Sequence, residues 1–292
     1  MKILVLGVTG MLGSAVFHTF NQRSDEFEVW GTLRSKEALK YFPNASHQNL
    51  ISNVDVLDFD SLCRVFERVR PDVVINCIGL IKQLASAKDP LFALPINAML
   101  PHRLAKLCGL ARARLIHIST DCVFSGKKGL YKETDASDAE DLYGKSKFIG
   151  ELTEYSHAIT LRTSIIGHEF NSNTALVEWF LSQQNEVKGY VKAIFSGLPT
   201  FELGRVMRDY IIPKPELCGL YHVAATPINK YELISLIAEI YKKKIKIVAD
   251  QDLMIDRSLN AERFKAATAY VAPSWPQLLS LMHESKNLYG VH

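Results

Sequence analysis

Tyr143 and Lys147 stand four residues apart in LYGKSK. A helix over this stretch puts both side chains on one face. The pairing has a chemical use. A free phenol titrates near pH 10, too high for acid–base work at neutral pH, and a neighbouring ammonium favours the phenolate and draws that value down. Upstream, HISTDCVFSG (117–126) begins as an alternating strand and changes to small polar residues. Thr120 therefore falls at a strand end, where its hydroxyl could hold a substrate oxygen beside the tyrosine. Tyr-x-x-x-Lys alone is a common spacing. Its weight here comes from its order along the chain after a glycine turn and a strand-end Ser119–Thr120.

That turn is G-x-x-G-x-x-G at Gly7, Gly10 and Gly13, directly after the apolar run KILVLGV (2–8) and opening a helix over 11–21. Such glycines allow a tight turn and a close approach of the backbone to a pyrophosphate, whose charge meets the N–H groups of the helix start. A dinucleotide would thus lie along Gly7, Thr9, Gly10, Met11, Leu12 and Gly13. About 21 residues on, where an NAD site usually carries an acid for the ribose 2′-hydroxyl, the second strand ends in Arg34. A guanidinium fits a phosphate in bidentate fashion, so Arg34, helped by Lys36, points to NADP(H), with NAD(H) the other possibility. Asp55 and Asp58 follow strand three. Asp55 is placed in the adenine pocket, and Asp58 either joins it or caps a helix.

Elements must hold these groups in place. Strands are expected at 2–8, 28–34, 53–58, 72–79, 114–120 and 158–164, with helices at 11–21, 61–70, 96–110 and 141–156 between them. Regular β–α alternation predicts an α/β fold, a Rossmann-type doubly wound parallel sheet that binds ligands beyond the carboxyl ends of its strands. This gives an NAD(P)-binding domain over 1–165. Beyond 165 the alternation weakens, and 166–292 is expected to be mainly a smaller substrate-binding lobe that returns some segments to the sheet. Strands 219–225 and 244–250 and a helix 229–243 are visible there.

Composition narrows the rest. With 292 residues, 48% hydrophobic and 22% charged, the chain can bury a sizeable core. A net charge of +3 is too small to argue for nucleic acid or a membrane surface. No run approaches the roughly 18 apolar residues of a membrane span, and the five cysteines share no C-x-x-C spacing, so neither zinc nor a disulfide framework is implied. A soluble, cytoplasmic protein without a metal is expected. His117 reads as a core histidine. His168 and Glu169 read as substrate contacts or as loop residues. Cys122 has no histidine in motif relation to it and reads as pocket wall rather than nucleophile.

GVTGMLG (7–13), STDCVFSG (119–126), YKETD (131–135), YGKSKFIGE (143–151) and LRTSIIG (161–167) together resemble the extended short-chain dehydrogenase/reductases, most of all the dTDP-4-dehydrorhamnose reductase branch. The resemblance covers nearly the whole chain, with weaker echoes in GLPTFELGRV, GLYHVAATPINKYEL and DRSLNAERF. It implies Tyr143 as proton donor, Lys147 on the nicotinamide ribose, Thr120 orienting the carbonyl, and Asn97 as the helical asparagine near the active site. Cys77, Ile78 and Gly79 stand where the family lines its cofactor pocket with small residues. Cys122 replaces the usual tyrosine of the substrate pocket, and Ile165 a frequent tryptophan. Arg205 and Arg257, in family-like segments, are candidates for the substrate diphosphate. The implied activity is NADPH-dependent reduction of a nucleotide-activated 4-keto-6-deoxy sugar for cell-surface polysaccharide, in a homodimer paired through helices near 91–110 and 141–156. The alternatives are a sugar-nucleotide epimerase or dehydratase on the same scaffold, and a noncatalytic NADP-binding regulatory subunit.

Overall fold

The computed structural model describes residues 1–82, 85–170 and 175–286. Its centre is a seven-stranded sheet in which every neighbouring pair is parallel. Six strands come from the first half: β1 (Lys2–Leu6), β2 (Glu28–Thr32), β3 (Leu50–Ile51), β4 (Val73–Asn76), β5 (Arg114–Thr120) and β6 (Ala158–Thr163). The seventh, Gly219–His222, returns from the second half and pairs with β6, giving the order 219–222, β6, β5, β4, β1, β2, β3. The order reverses between β1 and β4, and a crevice opens beyond the strand ends at such a reversal. Helices α1 (Met11–Asn21), α2 (Phe59–Val69), α3 (Pro90–Ala93), α4 (Leu100–Ala111) and α5 (Leu142–Ile149) belong to this half.

Strands buried on both faces are mostly apolar, as in the fully buried VVIN of β4, where Asn76 is the one polar residue. On one face of the sheet, Leu4, Leu6, Val74 and Leu115 pack with Leu62, Val65 and Phe66 of α2 and Leu100 and Leu104 of α4. On the other, Ile3, Val5, Ile75 and Ile116 share one continuous core with Val16 and Phe20 of α1 and with Leu203, Leu233 and Leu278 of the second half. The later segments thus continue the sheet's own core.

Two expected elements differ. The third strand is Leu50–Ile51, and 53–58 is a turn: Asn53 is left-handed at φ 60°, and the Asp55 carboxylate accepts the Leu57 N–H at 2.9 Å. The alternation of Val54 and Val56 reflects one buried residue in that turn, Val54. The helix expected over 141–156 stops at Ile149. A Cβ on Gly150 would lie 2.1 Å from the Asn97 carbonyl oxygen, so the chain passes that backbone closely and turns away. Conversely, the run from Pro90 to Ala111 is helical throughout and includes a π turn at Leu94–Met99. Among the described residues, no helix is long and apolar enough to cross a membrane.

Candidate active site

Steric necessity fixes the glycine turn. A Cβ on Gly13 would lie 2.1 Å from the Gly7 carbonyl oxygen, and Gly7 itself sits at φ 81°. At Gly10 the nearest atom to a Cβ would be 3.5 Å away, which leaves that side open to a ligand. Helix α1 has no side-chain cap and no acid in its first turn, so its leading N–H groups are left for an anion. The Leu12 side chain is buried in the core below. A cavity of about 300 Å³ adjoins the turn, lined by Thr9, Gly10 and Met11, by Arg34 and Ser35, and by Tyr41 and Glu169 among others. Exposed Arg34 makes no hydrogen bond or ion pair with a described residue. These features fit a dinucleotide with a phosphate near Arg34. Asp55 is engaged in its own turn and is not part of that lining, and Asp58 caps α2 by accepting the Asp60 N–H at 3.0 Å.

From the turn, contacts run without a break to the tyrosine. A Cβ on Gly7 would meet Ile78 Cγ1 at 2.7 Å, so the turn lies against the loop after β4. Burial pushes the Cys77 thiol in that loop up to about 12. A Cβ on Gly79 would lie 3.4 Å from Asn97 Oδ1 and 3.8 Å from Lys147 Nζ. Asn97, buried in the π turn, accepts the Leu80 N–H at 2.9 Å and donates to Leu80 O and to Ser146 Oγ, both at 3.3 Å. It therefore fixes the loop after β4 against α5. Lys147 donates to the Ile118 carbonyl at 2.6 Å.

At the end of β5, Thr120 Oγ1 accepts the Cys122 N–H and donates to Asp121 Oδ1, both at 3.1 Å, and Thr120 is among the groups that act on the Tyr143 phenol. A hydroxyl proton rotates to suit its partner, so the same oxygen can turn to a substrate carbonyl. The Asp141 carboxylate caps α5 through the Gly144 N–H at 2.8 Å and pairs with Lys82 at 2.5 Å.

The electrostatics differ from the sequence expectation at the tyrosine. Burial raises the Tyr143 pKa, and the neighbouring Cys122, Asp121 and Asp141 raise it further, against a lowering by Thr120. The Lys147 ammonium is directed to the Ile118 carbonyl. Tyr143 is thus held protonated, the state of a proton donor. Burial also pushes the Cys122 thiol up to about 12, in keeping with a neutral pocket-wall residue.

Arg257 reaches this group: its Nε donates to Phe124 O at 2.7 Å, and its charge acts on Asp121 and Asp141. Arg205 does not join it. It pairs with Glu202 at 3.2 Å, and Glu202 also accepts from the Tyr270 hydroxyl at 3.0 Å, in a separate cluster on a helix, Thr200–Val206, that packs against α1. His168 is a loop anchor, sharing hydrogen bonds with Glu178 at 2.5 Å and the Tyr241 hydroxyl at 2.9 Å. His117 is a core histidine, 3.2 Å from the Asn76 amide, and burial keeps it neutral.

Sequence reasoning gave no role to Glu151, Lys230 or Asp121. Glu151 accepts from Ser119 at 2.8 Å and from Arg162 Nε at 2.7 Å and Nη2 at 2.6 Å, all in the interior. The signal for Lys230 was its place directly after the capping residue Asn229, at a helix start where a cation is disfavoured.

The chain matches the RmlD substrate binding domain family over residues 1–279. It belongs to that family. Its relatives include dTDP-4-dehydrorhamnose reductase of Escherichia coli, 27% identical over 74% of this chain and 80% of that protein. They also include methionine adenosyltransferase 2 subunit beta of Danio rerio, 27% identical over 82% of this chain and 74% of that protein. Among solved structures, dTDP-4-dehydrorhamnose reductase from Bacillus anthracis in complex with NADP superposes with a TM-score of 0.79 over 98% of this chain and 99% of that one, at 20% identity. The fold is therefore the Rossmann-type one that the sequence predicts.

Burial of Lys147 carries a pH signature. Desolvation lowers its ammonium from 10.5 to about 8, opposed by Glu151 and Cys77. Between those two values the unfolded chain binds the extra proton, so stability rises with pH across that window, and below about 8 the cost of the buried charge is present in full. Lys147→Met should lose this rise, so that the stability difference between variant and wild type changes progressively above about pH 8. Urea denaturation of both proteins from neutral to alkaline pH reads it, and parallel curves would contradict the assignment.

Proposed function

We propose that this protein reduces a nucleotide-activated 4-keto-6-deoxy sugar with NADPH, in the manner of a dTDP-4-dehydrorhamnose reductase, in the cytoplasm and for cell-surface polysaccharide synthesis. It is an NAD(P)-dependent oxidoreductase of the extended short-chain type, with NADP(H) as cofactor and NAD(H) possible. The observation that carries the reading is the unbroken path from the glycine turn through Ile78, Gly79, Asn97 and Lys147 to Thr120 and Tyr143. Each residue on it has a use in carbonyl reduction.

Gly7, Thr9, Gly10, Met11, Leu12 and Gly13 would hold the pyrophosphate, Arg34 the 2′-phosphate, and Lys147 the nicotinamide ribose. When bound, the reduced nicotinamide supplies the hydride for the keto carbon. Thr120 orients the carbonyl and donates to its oxygen as negative charge develops there. Tyr143 then gives that oxygen its proton. An alkoxide is a stronger base than a phenolate, so this transfer is downhill even from a phenol whose pKa burial has raised. Asn97 is a positioning residue, since its amide is used in joining the loop after β4 to α5.

The resemblance to a methionine adenosyltransferase subunit favours a second reading, a noncatalytic NADP-binding regulatory subunit. Tyr143, Lys147 and Thr120, retained together, weigh toward the enzyme. An epimerase or dehydratase would retain NAD(H), and Arg34 in place of the usual acid weighs against it. For the homodimer, support lies in exposed Leu91, Phe92 and Met99 beside exposed Phe148 and Ile149 on packed helical segments.

NADPH oxidation with a panel of dTDP- and UDP-linked 4-keto-6-deoxy sugars tests the activity. Turnover on one sugar should fall about a hundred- to ten-thousandfold in Tyr143→Phe. NADPH binding without turnover of any sugar would move the reading to the regulatory subunit. Arg34→Ala should raise the KM for NADPH roughly ten- to a hundredfold and leave that for NADH nearly unchanged. A wild-type protein with better kcat/KM for NADH than for NADPH would refute the phosphate role. In light scattering, the wild type should have the mass of two chains and the double variant Leu91→Glu, Phe148→Glu that of one; a monomeric wild type would remove the homodimer.

A further inference from the structure

Lys147 and Glu151 are held by neighbouring residues of one strand. The ammonium donates to the Ile118 carbonyl at 2.6 Å, and the Ser119 hydroxyl donates to Glu151 Oε1 at 2.8 Å. One peptide bond joins the two anchors, and Thr120 follows them on β5. Glu151 stands four residues after Lys147, just past the end of α5. From β6 it is gripped by Arg162, which is in register with Ser119 and donates through Nε to Oε1 at 2.7 Å and through Nη2 to Oε2 at 2.6 Å. Arg162 Nη1 lies 3.3 Å from His222 Nε2. The His222 Nδ1–H is used on the Tyr131 carbonyl, and burial together with the Arg162 charge lowers the imidazole to about 3, so His222 brings no charge of its own.

We infer that Glu151 is a positioning residue for carbonyl reduction, the fixed countercharge that keeps Lys147 an ammonium beside the nicotinamide ribose, a role that rests on the reductase reading. The other groups facing Lys147 supply no negative charge. Cys77, in the loop after β4, is a thiol pushed up to about 12, and Asn97 of the π turn offers a neutral amide. His117 of β5 is kept neutral by burial, and Tyr143 of α5 keeps its proton. Desolvation draws Lys147 down to about 8, with Glu151 foremost among the groups that oppose this. The spacing has its own use. An ammonium has three N–H donors, and Lys147 uses one on Ile118. Glu151 forms no ion pair with it among the described residues, so the remaining donors are left for ribose hydroxyls while the charge is still balanced. A buried Arg–carboxylate pair adds little stability over well-packed apolar side chains. Here the grip of Arg162 and Ser119 holds the carboxylate at a set distance from the catalytic lysine.

The test is the alkaline limb of the pH–rate profile, with NADPH and a keto sugar that the wild type reduces, for wild type, Glu151→Gln and Glu151→Asp, with thermal melting to verify folding. Tyr143 keeps its proton, so the limb follows loss of the Lys147 ammonium, near pH 8 in the wild type. Loss of the countercharge lowers the lysine pKa further. The limb should therefore move about one pH unit towards acid in Glu151→Gln, roughly a tenfold loss of rate on the alkaline side. Glu151→Asp keeps the charge and should keep the limb in place at a lower rate. A purely structural glutamate predicts the reverse order, because Gln is its isostere and Asp is not. Glu151→Gln leaves Arg162 buried without a partner, so the double variant Glu151→Gln, Arg162→Gln removes both charges and should move the limb the same way. A limb at the wild-type position in a folded Gln variant, or a displaced limb in Glu151→Asp, overturns the countercharge. NMR titration of isotope-labelled lysine, with the Lys147 signal identified by its loss in Lys147→Met, reads the same shift without substrate. A wild type that reduces none of the sugars thus defeats the reductase reading, while this titration still decides the countercharge.

Discussion

A buried ammonium is tolerated only where oxygen atoms replace its lost water, and the site is arranged around that requirement at Lys147. The Ile118 carbonyl supplies one acceptor at 2.6 Å, and it lies in the strand that ends at Thr120. This bond ties α5 to β5, the strand that carries the threonine. Gly79 presents no side chain toward the ammonium, and Asn97 spans the loop to α5. The π turn follows from this. Asn97 must offer its amide to Leu80 and Ser146 while its own carbonyl passes Gly150, and a widened helical turn at functional positions meets such competing demands.

One turn beyond Lys147, the Glu151–Arg162 pair extends the same constraint across the sheet. Both side chains are almost fully buried, and a buried pair is sustained only when its remaining donors and acceptors are satisfied. Ser119 donates to Glu151, while Arg162 reaches His222 Nε2 at 3.3 Å and lies over the Phe124 ring, which stacks on Tyr131. His222 in turn contacts the Tyr131 carbonyl at 3.0 Å. The segment just beyond α5, strands β5 and β6 and the returning strand Gly219–His222 are therefore cross-linked by hydrogen bonds. Losing one member would leave a charge buried without a partner, the costly case for such groups.

The first half was legible because its signals are local. An apolar run followed by spaced glycines can be read within a window of about fifteen residues, and so can an amphipathic helix such as α2. What escaped depends on contacts distant in sequence. The end of α5 is set by the Asn97 backbone, and the protonation of Tyr143 by burial that a Tyr–Lys spacing does not encode. Val54 and Val56 imitate a strand because a turn can bury one valine as readily as a strand does. Arg205 and Arg257 were alike in sequence. Only the second reaches the Thr120–Tyr143 group, through Phe124 O and its charge on Asp121 and Asp141, whereas the first meets Glu202 on the helix against α1.

The cavity beside the glycine turn and the second half also share a wall. Gly167 leaves room for the Met11 sulfur, 3.3 Å from where its Cβ would be, and the chain then presents His168, Glu169 and Phe170 in sequence. His168 is fixed from behind by Glu178 and Tyr241, both from the second half. Glu169 lines the cavity opposite the glycine turn, and Phe170 stacks on Tyr41 with ring centres 5.1 Å apart. Tyr41 ends the short helical turn that follows Arg34, so the segment bearing Arg34 is clasped to a loop whose anchor lies in the other half. Displacing that anchor would tilt Phe170 and, through Tyr41, the segment bearing Arg34. Because packed interiors transmit displacement rather than absorb it, the position of the second half and the shape of the cavity beside the glycine turn are mechanically coupled.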